Sequence, residues 1–197
     1  QYTALYNSER TRICSHSAPL MNALRDEAAS HYARLGLPTK DVERYRYTDV
    51  PAAFAPDYGV NLDRLNIPVR PRDAFSCDVP NISTLQYFVV NDTFYDEQRA
   101  TDEAITVCSL RQAATLHPEW VEPYYGRLAR TEKDAINALN TRLVQDGLIV
   151  YVPKGTIVER PIQIVNILRS DVDLMVNRRV LVVLEDHAQA KLLFCDH

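Results

Sequence analysis

The chain has 197 residues, 46% of them hydrophobic, so it can bury the core of one large or two small domains and is not a disordered tail. Its 22 Lys plus Arg against 26 Asp plus Glu leave a formal net charge of −4, which removes the basic surplus that drives generic nucleic-acid binding. No run approaches the roughly 20 apolar residues needed to span a bilayer, and no basic-then-apolar leader opens the chain, so neither nucleic acid nor membrane is expected as a partner and a cytoplasmic location is expected.

In chain order, residues 3–14 and 19–35 have helical character. In the second segment Ser17 is placed to cap, Pro19 suits the first turn, and Leu20, Leu24, Ala28, Tyr32 and Leu35 recur at helical spacing up to the stop at Gly36. Residues 37–80 are rich in proline and predict a loop-rich cover, with a short helix starting at Thr48-Asp49-Val50-Pro51. Tyr87-Phe88-Val89-Val90, Asn91-Asp92 and Thr93-Phe94-Tyr95 read as strand, tight turn and strand. Short helices are expected over 110–116 and 118–126. A stronger one is expected over 132–145, with Ile136, Leu139 and Leu143 on one face and Gly147 closing it.

Beyond Gly147 come four apolar runs, 148–152, 162–167, 180–184 and 191–194, whose connections carry no helical repeat. A doubly wound sheet therefore does not fit, which leaves an antiparallel sandwich or a parallel β-helix. Val180 to Leu184 is apolar at every position and predicts burial on both faces, whereas Ile162 to Ile167 carries polar Gln163 and Asn166. The chain opens at Gln1 without Met and stops at Phe194-Cys195-Asp196-His197 directly after a strand, so it reads as a piece of a longer protein, and a stacked array is the favoured reading.

Chemistry-bearing motifs are sparse. The five glycines form no nucleotide-binding arrangement, and Val152-Pro153-Lys154-Gly155-Thr156 reads as a turn because Pro153 precedes it and no helix follows. Asp171 with Asp173, and Glu185-Asp186-His187, are polar turns unless they converge on one substrate. Arg178-Arg179 reads as a solvated pair, and Tyr45-Arg46-Tyr47 and Tyr124-Tyr125 as packing aromatics. The scattered Cys14, Cys77, Cys108 and Cys195 predict free thiols in a reducing compartment. Cys14-Ser-His16 and Cys195-Asp-His197 share a spacing but lack the four close ligands of a structural zinc site. No catalytic, cofactor-binding or metal residue is assigned.

One series is specific. Ala138-Leu139-Asn140, Asp146-Gly147, Val152-Pro153-Lys154-Gly155 and Pro161-Ile162-Gln163 together resemble the SufB/SufD family: an ALN helix, a DG turn, a strand, a VPKG turn and a PIQ strand. Leu35-Gly36-Leu37-Pro38, Glu43-Arg44-Tyr45-Arg46-Tyr47-Thr48 and Phe88-Val89-Val90-Asn91 are similar to the N-terminal region of the SufD branch. Tyr45, Ile136 and Asp92 depart from the family's usual Trp, Phe and Gly.

The resemblance implies a mixed α/β fold. An N-terminal, mainly helical α+β region over 1–130 would be followed by a linking helix and the first coils of a truncated parallel β-helix over 131–197. It implies a non-catalytic scaffold subunit of cytosolic iron–sulfur cluster assembly, pairing with a SufB-like subunit and working with a SufC-like ATPase. A homodimer stays open. It implies no cofactor in this stretch, any cluster being handled by the full complex, and gives Cys195 and His197 no role. The competing readings are a polysaccharide-active β-helix enzyme using Asp171, Asp173 and Asp186, and a plain oligomerisation module.

Overall fold

A computed structural model of the chain describes residues 1–65, 68, 70, 71, 82–95 and 104–197, so Cys77 lies outside the described residues. The fold is mixed α/β. Helices α1 (Tyr2–Ser15), α2 (Pro19–Asn22), α3 (Arg25–Leu35) and α4 (Val50–Ala53) precede strands β1 (Leu85–Val90), β2 (Thr93–Tyr95) and β3 (Thr106–Ser109). Helices α5 (Leu110–Leu116), α6 (Pro118–Val121) and α7 (Ala135–Leu143) follow, then β4 (Asp146–Val152), β5 (Ile162–Ile167), β6 (Arg178–Leu184) and β7 (Leu192–Asp196).

The strands form two sheets, ordered β2-β1-β5-β7 and β3-β4-β6. From β4 onward the chain alternates between them, so β6 lies parallel to β4 and β7 parallel to β5, while β5 itself lies parallel to β1. Asp146 pairs with Arg178, and Ile162 lies between Leu85 and Leu192. The expected alternative of an antiparallel sandwich is thereby overturned, since among the described strands only β1 with β2 and β3 with β4 run antiparallel. Between the sheets Leu85, Val89, Leu148, Val150, Val152, Ile162 and Ile164 form one apolar cluster. The opposite face of β4 and β6, with Ile149, Leu181 and Val183, is covered by Met21, Leu110, Ala113 and Val121 from α2, α5 and α6. Strands from both sides of residue 130 contribute to both sheets.

The turns stack as well as the strands. Gly155 N–H donates to the Asp186 carbonyl at 2.9 Å, and across the same two connections Val158 N–H donates to the Gln189 carbonyl at 2.8 Å while Gln189 N–H donates to the Thr156 carbonyl at 2.9 Å. At the other end Gly59 bonds both Asp173 and Met175 through its backbone, so an N-terminal segment pairs with the β5–β6 connection. A stacked aromatic triplet runs His117, Trp120, Tyr151 at 4.0 and 4.3 Å between ring centroids and clamps α6 onto β4.

Three local expectations are corrected. The helix expected over 19–35 is two helices, because the chain leaves α2 at Asn22 and re-enters at Arg25, whose buried guanidinium turns to the C-terminus of α7. There it donates to the carbonyls of Thr141 at 3.3 Å, Arg142 at 2.9 Å and Val144 at 2.6 Å, and also to Asn22 Oδ1 at 2.8 Å. A cation on the last orphan carbonyls of a helix is the favourable end of its dipole. Helix α7 therefore stops on Arg25, not on a glycine.

Gly147 is the second residue of β4, and Asp146-Gly147 is strand, not turn. A Cβ on Gly147 would sit 1.8 Å from the Arg179 carbonyl oxygen, so the glycine is required by the close approach of β6. The third correction concerns Ser17, which does not cap α2; Ala18 occupies that position and the Ser17 hydroxyl points to Met21 Sδ. Elsewhere Asp49 caps α4 as expected, and Asp134 caps α7 by accepting from Ile136 and Asn137 N–H.

Two buried polar clusters tie the layers together. Asp146 accepts from Ser109 Oγ, Arg111 N–H, Gly147 N–H and Arg64, which also reaches Asp92 and Thr93. Burial pushes the Asp92 carboxyl above the usual range against the pull of Arg64. Under α1 lies Arg142, fully buried, with its guanidinium 4.2 Å from the Tyr32 ring centroid, 5.8 Å from that of Tyr6, and one bond to Thr3 Oγ1. Its Nε and Nη2 have no partner among the described residues. Each unmet buried donor costs about 1–3 kcal/mol, against about 0.5–2 kcal/mol from a cation on an aromatic face.

Candidate docking surface

The feature that distinguishes the end of this chain is a change in exposure from one strand to the next. Alternation aims Val150, Val152 and Ile164 between the sheets, and all three are fully buried. Their register partners one strand further on are Val182, Leu184 and Phe194, which are 37%, 40% and 49% exposed. The same residue types in the same orientation are thus covered in one layer and open in the next.

β6 and β7 are the edge strands of their sheets on that side, so each offers a row of backbone donors and acceptors beside a slot of apolar side chains. The expectation that Val180 to Leu184 is buried on both faces is corrected here: helices cover Leu181 and Val183, while Val182 and Leu184 face the open slot.

Polar groups close one end of the slot. On the slot side Asn166, nearly buried, donates from Nδ2 to Asp196 at 2.9 Å, and on the face of β5 away from the slot Gln163, fully buried, donates to Cys195 Sγ at 3.3 Å. These two rungs account for the polar positions that interrupt the β5 run. A cavity of about 580 Å³ opens there, lined by Asn140, Asn166, Leu168, Arg178, Asp196 and His197.

Arg178 donates to the Asn91 carbonyl at 3.0 Å and lies 3.8 Å from Asp196, and Arg179 donates to Asn140 Oδ1 and Thr141 Oγ1 over the Tyr125 ring. The arginine pair is therefore not solvated, as its sequence context suggests, but stitches β6 to α7 and β1. Burial draws both guanidinium pKa values below the ordinary value, although each stays charged.

The candidate carboxylates do not converge. Asp171 and Asp173 lie in the connection before β6 and Asp186 in the connection after it, so the seven-residue strand separates them by roughly 20 Å. A carboxylate pair working on one glycosidic bond sits within about 5–10 Å. Asp173 lends its backbone to Gly59, and Asp186 lies 3.5 Å from Lys154.

Glu185 is held in its turn by the Lys154 N–H and the Tyr151 hydroxyl, which draw its carboxyl below the usual range. The Val152 to Thr156 segment is the turn beneath it, and His187 takes a left-handed backbone at φ 62°. Cys14 and His16 end α1, whereas Cys195 and His197 lie on β7 and just after it. Tyr45 donates to Asp134 and Tyr125 is buried, while Tyr47, expected to pack, is 94% exposed.

Residues 1–164 match the SufBD protein N-terminal region. An iron–sulfur cluster assembly SufBD family protein of Synechocystis sp. is 28% identical over 173 residues, 85% of this chain and 37% of its own length. A second such protein of that organism is 26% identical over 133 residues, 67% of this chain and 27% of its own. The iron–sulfur cluster assembly protein SufD of Bacillus subtilis is 33% identical over 92 residues, 46% of this chain and 21% of its own. The chain thus spans from about a fifth to a little over a third of these relatives.

Proposed function

Because this chain belongs to the SufBD family, as the match over residues 1–164 shows, we propose that it is the N-terminal part of a non-catalytic scaffold subunit of iron–sulfur cluster assembly, of the SufD type. In this reading β4 to β7 are the first coils of a parallel β-helix, the segment from 131 onward is the start of that rod, and the helices over 1–130 cap its first rung. The observation that carries it is the pairing of Val150 with Val182 and Ile164 with Phe194: inward apolar residues stacked in parallel, buried in one layer and open in the next. A further rung would cover that layer, and the rod so extended would dock a homologous subunit of the SufB kind, with a SufC-like ATPase supplying the driving motion. The reading places the protein in the cytoplasm.

Co-purification of the full-length protein with SufB- and SufC-like partners, followed by iron and sulfide analysis under anaerobic conditions, tests the assignment. A stable complex that carries or transfers a cluster is expected. Full-length protein that binds neither partner overturns it.

A further inference from the structure

We infer that helix α1 is a releasable strap over Arg142, held in place by surface ion pairs and set close to detachment by the unmet hydrogen-bonding capacity of the guanidinium beneath it. The inference goes beyond the scaffold reading and does not depend on it. α1 buries Tyr2, Tyr6 and Ile13, and its first two tyrosines sit in the cluster formed by Tyr32, Leu139 and Leu143. Its polar attachments are peripheral: Arg10 forks onto Asp26 at 2.9 and 2.7 Å, Tyr6 donates to Asp26 at 2.8 Å, and Arg12 pairs with Asp63.

Directly below, Arg142 is fully buried and, among the described residues, has two donor atoms unmet and a single hydrogen bond, to Thr3 of α1 itself. Contrast Arg25, equally buried but bonded through all three nitrogens to carbonyl and amide oxygens. Lifting α1 gives the Arg142 donors water and leaves Tyr32 and α7 in place, so local opening of this helix relieves a penalty that global unfolding of its neighbours does not selectively relieve. The unmet donors thus offset part of the apolar burial of Tyr2, Tyr6 and Ile13 that holds α1 down, which lowers the cost of opening it.

Hydrogen exchange on the full-length protein tests this. In the native protein, α1 amides are expected to exchange about tenfold or more faster than those of α7, by local opening. Arg142→Met, which keeps an apolar stem against Tyr6 and Tyr32, is expected to slow α1 exchange about tenfold while leaving α7 unchanged. Arg10→Ala is expected to accelerate α1 exchange alone and does not disturb the core. Equal protection of α1 and α7 in the native protein, faster or unchanged α1 exchange in Arg142→Met, or no effect of Arg10→Ala each overturns the inference.

Discussion

The guanidinium of Arg25 donates to the backbone carbonyl of Val144, 2.6 Å away and 119 positions later, and so terminates a helix that carries no terminating residue of its own. Arg25→Met leaves three helix-end carbonyls without this donor set, and hydrogen bonds to a charged group are worth about 1.5–3 kcal/mol each. A loss of about 3 kcal/mol or more is expected in denaturant unfolding. Arg25→Lys should recover little of it, because one ammonium cannot fork across three carbonyls.

The two glycines that follow α7, Gly147 and Gly155, differ in what they tolerate. Gly147→Ala puts a Cβ into the Arg179 backbone and should separate β4 from β6, with loss of cooperative unfolding. Gly155 sits at φ 71° with open space around its Cα, so Gly155→Ala should cost only about 1–2 kcal/mol of left-handed strain. Thermal unfolding of the two variants side by side checks the order.

The hydrogen bond to Glu185 pushes the Tyr151 hydroxyl up to about 12. A raised folded value means that the bond contributes fully below the ordinary value of 10, and that the contribution is lost as pH rises from about 10 to 12. Phenolate absorbance should show one late-titrating tyrosine that moves back toward 10 in Glu185→Gln.

Asp26 behaves in the opposite sense. Hydrogen bonds from Arg10 and Tyr6 draw its carboxyl down to about 2, from an ordinary 3.8. The support it gives α1 is present above the ordinary value and disappears as pH falls from about 4 to 2. The exposed Arg10–Asp26 pair is also screened by salt. Carboxyl chemical shifts followed by NMR should report the depressed titration, and Arg10→Ala should move it back toward 3.8, with the Tyr6 hydrogen bond retaining the remainder.

In the full-length protein, Val182→Lys should destabilise nearly as much as Val150→Lys, by about 3 kcal/mol or more, because a following rung would bury an unpaired ammonium at both positions. Urea unfolding in which Val182→Lys is neutral would mean that nothing covers β6.

What could be read from residues alone depended on whether the cause was local. The run Ile162 to Ile167 is β5 at those bounds and the short helix expected at Thr48-Asp49-Val50-Pro51 starts on its Asp49 cap, since apolar runs and short polar caps act within a few positions; the helix expected from 132 starts instead at Ala135, after the Asp134 cap. β3 escaped notice because Thr106-Val107-Cys108-Ser109 is only four residues and passes into α5 without a turn.

The break at Ala23-Leu24 and the true purpose of Gly147 were illegible for a different reason. Their causes are the carbonyls of α7 and the backbone of β6, both far along the chain. The slot itself was half legible: four apolar runs announced stacked strands, but which of their side chains would be left open depends on the neighbour, not on the run.

Because connections as well as strands lie in register, the spacing of the repeat, 32 positions from Asp146 to Arg178 and 30 from Ile162 to Leu192, is pinned at both corners. A single inserted residue inside β5 or β6 would turn every inward side chain outward. Length variation should therefore enter either in whole repeats or at exposed Asp171 and Val172, before Asp173 meets Gly59, and that short stretch is where an epitope or a fluorescent domain can be grafted without disturbing the stack.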